Sequence, residues 1–473
     1  MQRRNLVFGV LVLWSAAPQA QSFDQFFLNK TLRVDYYHTG TKGEEKFALD
    51  QCYEEVEWAG SQKNLVDHLN RGEYQARVYD VETATLIFSR GYSAMFNEWQ
   101  TAGEAGQGRY RTFHETVLMP MPKKKIQFTI CRRDKQMNFH EVFSIVIDPT
   151  DPTQINRAPR KAPFKATQLM KNGPPAGKVD IVILGDGYTK DQMEKLRKDA
   201  QHFNDAMFAT APFKERKQDF NVWLIEVISE DAGIPKPDKN IWKQNALGAI
   251  YNTFGSARYV LTTANKTLRD LAGQVPYEVI NILINDDRYG GGGIYNQYST
   301  TYTISDQPGQ EWQREYVYVH EFGHSFAGLG DEYYSSQVSY EEFYSKEVEP
   351  WEPNVTALLD KENLKWKAFM AKDTPLPTPW EKAEYDSLAN VRAKLDRLAP
   401  DYYVKREPLI KRQNELLIKT TYAGKVGAFE GAGYEARGLY RPAADCRMFS
   451  LSLVDFDPVC RAAIEQVIDF YVK

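Results

Sequence analysis

His320 and His324 stand four residues apart in the run His320-Glu321-Phe322-Gly323-His324. On a helix this spacing puts both imidazoles on one face, where they can grip one zinc ion. The glutamate between them can stand beside a metal-bound water and act as its general base. The chemistry implied is metal-assisted hydrolysis, most often of a peptide bond. The motif is short, and two histidines on the polar side of a surface helix would match it as well. Its flanks favour the chemistry. Tyr316, Val319, Gly323 and Phe326 fall at helical spacing and make a stripe that could face a core. The histidines lie beside that stripe, at the edge of a cleft. Gly328 and Gly330 then stop the helix, because glycine readily takes the left-handed turn that ends one.

A catalytic zinc site usually takes three protein ligands and leaves one position for water. The chain has seven histidines, and none follows His324. The third His of the metzincin pattern is therefore absent, and a downstream third ligand has to be a carboxylate. Asp331 is the first choice, because the Gly328-Leu329-Gly330 break explains how it returns to the metal; Glu332 is the near rival. A thermolysin-like arrangement would instead draw a Glu from a later helix, with Glu341, Glu342 and Glu347 as candidates. Gly328 and Asp331 each sit one residue later than the metzincin pattern places them. Near the C-terminus, Tyr440-Arg441-Pro442 leads to Cys446 and Met448. That stretch could form the tight turn that lays a methionine beneath the metal as a hydrophobic floor, although a Met after a turn also serves as plain core filling. Tyr440 is the candidate donor to the oxyanion of the reaction.

These residues need a scaffold, and the chain is long enough to supply one. Its 473 residues predict two or three domains, and 42% hydrophobic content is enough for a core. A net charge of −4 gives no reason to expect nucleic acid. Residues 1–20 read as a signal peptide: Arg3 and Arg4, a short apolar stretch from Leu6 to Trp14, then Ala16, Ala17 and Ala20 for cleavage. The apolar stretch falls short of the about 20 residues of a membrane span. A secreted or periplasmic protein with no integral membrane segment after signal removal is expected. Export fits two disulfides, Cys52–Cys131 and Cys446–Cys460.

Residues 23–148 alternate apolar and polar residues between turn signals and predict an all-β sandwich. The Pro-rich stretch 149–164 reads as an extended linker. Within 165–473, strands at Val179 to Leu184, Asn221 to Ile228 and Glu278 to Asn285 alternate with helices, an α/β pattern. The zinc helix is expected over 314–328, a helical insertion over 350–420 with helices at Glu381 to Leu398 and Glu407 to Thr420, and the methionine turn near 448. The glycines from Gly290 to Gly293 lack a following Gly-Lys-Ser/Thr and are not a phosphate loop. They predict flexible backbone beside the cleft, with Ile294 to Ile304 either an edge strand for an extended substrate or a surface hairpin.

The stretch His320 to Tyr333 resembles the bacterial IgA-peptidase metallopeptidase family. So do Val179 to Thr189, the glycine run before Ile294-Tyr295-Asn296, and Tyr440-Arg441-Pro442 leading to Cys446 and Met448. The resemblance covers roughly residues 165 to 473. It implies an N-terminal all-β sandwich plus a C-terminal α/β (α+β) metzincin-like zinc peptidase domain. On that pattern His320, His324 and Asp331 hold Zn2+, Glu321 is the base, and the partner is a protein or peptide substrate. The immunoglobulin in the family's name does not carry over from motifs that only build a metal site. The rival reading is an exported protein- or glycan-binding module with an inert or structural metal site. Glu321 argues against it, since a structural site needs no base.

Overall fold

A computed structural model describes residues 22–159, 161–305, 311–334, 344–396, 401–452 and 454–473. The expected signal peptide lies outside them. The alternating runs of the N-terminal half become β1 (Phe27–Thr41), β2 (Glu44–Glu54), β3 (Tyr74–Asp80), β4 (Leu86–Tyr92), β5 (Arg111–Pro122), β6 (Ile126–Arg133) and β7 (Phe139–Ile147). With β8 (Ile155–Asn156) they make two four-stranded sheets, β5-β1-β2-β8 and β4-β3-β6-β7. Because side chains alternate across a strand, Leu32, Val34 and Tyr36 of one sheet meet Ala76, Val78, Phe128 and Ile130 of the other in one buried core. β8 lies inside the stretch read as a linker. It pairs with Cys52 and Tyr53 of β2, which pins part of that stretch to the sheet.

The second half is built on a six-stranded sheet. Its strands are β9 (Ala166–Met170), β10 (Val179–Asp186), β11 (Phe220–Ile225), β14 (Val279–Ile284), β15 (Gly291–Ile294) and β16 (Tyr298–Tyr302), in the order β15-β16-β14-β10-β11-β9. The intervening β12 (Ala249–Ile250) and β13 (Leu261–Thr262) form a small ladder of their own. The β10, β11, β14 and β16 strands run parallel, and the two edges antiparallel. A parallel sheet is covered on both faces, which is why β10 reads as an unbroken apolar run. Val179, Ile181 and Ile183 point to one face, into a core shared with the helices Met193–Met207, Trp312–Ala327 and Pro458–Val472. Val182 and Leu184 point to the other face. There they pack with Leu268 and with Met95, Phe96, Trp99 and Phe113 of the N-terminal half. Buried polar contacts cross the same junction: Arg71 donates to the carbonyls of Ala327 and Ala463, and Asn265 to Thr116.

Several expectations change. The segment Ile294 to Ile304 is neither an edge strand nor a surface hairpin. Its β16 part is fully buried between β15 and β14, and the glycine run itself is the edge strand. Neither expected disulfide is formed, and all four cysteines are free and buried. Cys52 and Cys131 stand in different sheets. The sulfurs of Cys446 and Cys460 are 3.8 Å apart, against about 2.05 Å for a bond. The charged helices of the insertion are Lys382–Ala393 and Tyr402–Lys419; the expected end of the first, Leu398, lies outside the described residues. The last strands, β17 (Phe429–Ala432) and β18 (Glu435–Arg441), form a hairpin after them. Among the described residues no helix is long and apolar enough to cross a membrane.

Candidate metal centre

The helix Trp312–Ala327 ends on Gly328 at φ 61°, and from Tyr316 to Ala327 it is buried nearly all round, so the stripe of Tyr316, Val319, Gly323 and Phe326 is only part of its buried surface. A side chain at Gly328 would be strained by that left-handed conformation and would meet the Trp351 ring at 2.8 Å. The reversal brings Asp331 back over the helix. Its Oδ1 lies 3.0 Å from His320 Nε2 and 3.2 Å from His324 Nε2. The two Nε2 atoms are 3.1 Å apart.

The outer hydrogen bonds determine what these atoms offer. His320 Nδ1 donates to the Arg447 carbonyl at 3.1 Å, and His324 Nδ1 to the Leu329 carbonyl at 2.5 Å. A carbonyl can only accept, so each ring of a neutral pair carries its proton on Nδ1 and presents a lone pair at Nε2. The Tyr434 hydroxyl donates to Asp331 Oδ2 at 2.5 Å, while Oδ1 is buried with no hydrogen bond. With both rings neutral, three lone pairs thus converge on one point. Tetrahedral zinc ligands at about 2.0–2.1 Å sit about 3.3 Å from one another, so the donor set fits zinc in chemistry and in spacing. The electrostatics agree. Burial disfavours charge on His324, yet the Asp331 carboxylate prevails and pushes the imidazole up to about 9. Burial would raise Asp331, but His324 and His320 hold it well below the usual carboxylate range. The site calls for positive charge.

Glu321 lies at the same helix face and lines the cleft beside His324. Burial raises its carboxyl above the ordinary value, against the pull of His320 and His324. The glycine run is explained here. A Cβ on Gly293 would strike the Glu321 carbonyl oxygen at 2.4 Å, and one on Gly291 would meet Val317 at 2.8 Å. The run is not flexible backbone, as expected from sequence, but a strand pressed against the histidine helix. Below the helix, Met448 is fully buried, with its sulfur 3.2 Å from where a Gly323 Cβ would stand.

The other candidates divide. Glu332 turns away from the histidines to accept from Asn354 at 2.9 Å. Glu347 is exposed on the cleft wall and not among the converging carboxylates; Glu341 and Glu342 lie outside the described residues. Tyr440 is held in β18, with its backbone paired to Thr356, and does not line the cleft. Tyr333 and Tyr434 line the cleft beside the site, and the Tyr316 hydroxyl lies 3.4 Å from His320 Nδ1. Tyr333 stacks on His320 with ring centroids 6.2 Å apart and accepts from Arg258 at 3.2 Å. Tyr333 was legible as a neighbour of the motif. Nothing local marks Arg258 or Tyr434, which arrive from distant loops.

The cleft above these residues holds about 910 Å³. Arg258, Tyr333 and Tyr434 line it, together with Lys42, Gln100, Arg133, Lys135 and Met137 of the N-terminal half.

Comparison with protein families gives two matches. The family described as IgA Peptidase M64 matches residues 167–468, and that described as Peptidase M64 N-terminus matches residues 22–144. No curated protein matches the chain.

Proposed function

The chain belongs to the IgA peptidase M64 family, and from that premise we propose that it is an exported zinc endopeptidase with a metzincin-like catalytic half. His320, His324 and Asp331 would hold the zinc, and the turn at Met448 would floor it. The observation that carries this reading is the convergence of two imidazole lone pairs and one unpartnered carboxylate oxygen beside Glu321 in a large cleft. Zinc bound there supplies the positive charge that makes water acidic enough to attack near neutral pH and that polarises a carbonyl.

The chain's own residues do the rest. Glu321 takes the proton of the attacking water and passes it to the leaving amine. Its raised affinity for a proton suits both transfers. Tyr333, held by Arg258, presents a hydroxyl to the oxygen on which charge develops, and a donor of that kind is worth about 10²–10³ in rate. The Arg447 and Leu329 carbonyls fix the two imidazoles in the tautomer that offers Nε2. The substrate is a protein or peptide lying in the cleft between the two halves. Residues 1–20 would direct export.

Glu321→Gln tests the reading. The variant keeps the metal, because the three ligands are intact, and loses hydrolysis of an unstructured protein by hundreds-fold or more. Metal content and turnover are measured on the same sample. Near-normal turnover would remove Glu321 from the mechanism, and wild-type turnover untouched by chelator would remove the metal.

A further inference from the structure

Beneath the first cluster lies a second, which the peptidase reading does not use. Glu332, Cys446, Asp457 and Cys460 each offer a ligand atom, and these atoms lie within 4.8 Å of one another. Exposure is 0% at Glu332, Cys446 and Cys460 and 5% at Asp457. The two sulfurs are 3.8 Å apart, and Cys460 Sγ is 3.3 Å from Glu332 Oε1. The Asp457 amide donates to Cys446 Sγ at 3.4 Å. Each carboxylate spends one oxygen on the protein. Asp457 Oδ1 caps the C-terminal helix at Val459 and Cys460, and Glu332 Oε1 accepts from Asn354. The other oxygen of each, Asp457 Oδ2 and Glu332 Oε2, is buried with no partner.

When ionised, two carboxylates and two thiolates shut away from water need positive charge. Among the described residues neither carboxylate has an ion-pair partner. Arg441 is near, but its two Nη atoms donate to the carbonyls of Glu430, Gly431 and Ala444, and its plane lies over the rings of Trp380 and Phe449, so it forms no ion pair with either carboxylate. Two thiolates bound tetrahedrally to zinc at about 2.3 Å stand about 3.8 Å apart, the separation seen here.

We propose that Glu332, Cys446, Asp457 and Cys460 hold a second divalent cation of the zinc class. Four protein ligands close the coordination shell, so the ion is structural. The amino end of the helix Pro458–Val472, on which Asp457 and Cys460 sit, offsets the remaining negative charge. The ion would tie three distant segments of the chain together. Glu332 follows Asp331 directly, Cys446 stands two residues before Met448, and the Glu332 amide already donates to the Met448 carbonyl at 2.9 Å. It would hold the third catalytic ligand against the methionine turn and the last helix.

Elemental analysis of the full chain, purified without chelator, tests this. The wild type carries about two zinc ions per chain. The double variant His320→Ala/His324→Ala keeps one, and Cys446→Ser/Cys460→Ser keeps the other. Should the cysteine variant fail to fold, protein produced with cobalt answers instead. A thiolate-to-cobalt charge-transfer band appears in the near ultraviolet and survives in the histidine variant, whose remaining site is the only one with sulfur. One metal per chain, lost with the histidines, overturns the proposal. So does an intact mass lower by two hydrogens, tracing to a Cys446–Cys460 bond. If the catalytic reading alone were wrong, the histidine variant would leave the metal count unchanged while the cobalt band persisted.

Discussion

Asp331 bears the weight at the scale of single residues, because in the proposed site it closes the ligand set that the histidine spacing opens. Its Oδ1 is buried, unpartnered and equidistant from the two Nε2 atoms within 0.2 Å, taking 3.0 and 3.2 Å. Asp331→Ala is expected to lose the ion held by the histidines on dialysis against a mild chelator, whereas Glu347→Ala keeps it. The reverse pattern would move the third ligand to Glu347. Tyr333 gives a separate handle. Tyr333→Phe deletes a hydroxyl, leaves the ring against His320, and should lower kcat by about 10²–10³ with KM little changed. Tyr440→Phe should leave both alone, since that ring does not line the cleft. Equal kinetics for the two variants would remove Tyr333 from the reaction. The His320, Glu321 and His324 constellation was legible because a helix makes neighbours of residues three and four apart. Asp331 was legible because glycine punctuates the turn before it. Tyr434 and Arg258 were not, because their approach depends on how distant loops pack, and the Tyr440 ring does not line the cleft.

Elements show the same division. The β10, β11 and β14 strands announce themselves as apolar runs, since burial on both faces demands it. The glycines of β15 read as flexible in the sequence, because a sequence records an absent side chain but not what fills its place. Gly293→Ala tests the corrected view. Its Cβ would meet the Glu321 carbonyl at 2.4 Å and the His324 Cβ at 3.0 Å, both on the histidine helix. Overpacking of this kind costs about 1–3 kcal/mol, read as a lower denaturant midpoint, and it should weaken zinc retention as well. An unshifted midpoint would mean that the strand is free to move. The loop after the helix supplies a pH test. Burial raises the Glu352 carboxyl to about 7, although its backbone, Lys365, Tyr344 and Arg133 all pull it down. The folded state thus holds a proton that the unfolded chain releases near about 4.3. The stabilisation is complete below that value and is lost as pH rises through 7. Glu352→Gln removes this titration, so the variant gains on the wild type between pH 5 and pH 8, by at most about 3 kcal/mol. A stability difference constant across that range would show that Glu352 ionises freely.

At the scale of the whole molecule, the sequence pattern suggests two units on a linker, and the structure shows two halves on a shared core. Composition marks where β alternation gives way to α/β runs, but it cannot show which faces meet. Met95, Phe96, Trp99 and Phe113 cover the face of the peptidase sheet that Val182, Leu184, Ile280 and Ile282 present. An uncovered apolar face of that size is an aggregation surface. Arg33 of β1, paired with Asp35 and Glu55, also reaches Asp270 at 2.8 Å on the helix Asn265–Ala272. The cleft follows the same plan, since Arg133, Lys135 and Met137 line it together with Asp331 and Tyr333. The N-terminal half is therefore expected to be part of the catalytic body. The full chain should unfold in one cooperative transition, with calorimetric and van't Hoff enthalpies in agreement. A fragment of residues 165–473 should be insoluble, or soluble only as an aggregate without zinc. If that fragment is instead monomeric, holds its metal and cleaves the same sites as the full chain, then the N-terminal half neither completes the core nor shapes the cleft. If it folds and holds metal but cleaves at altered sites, the core is separable while the wall still selects the substrate.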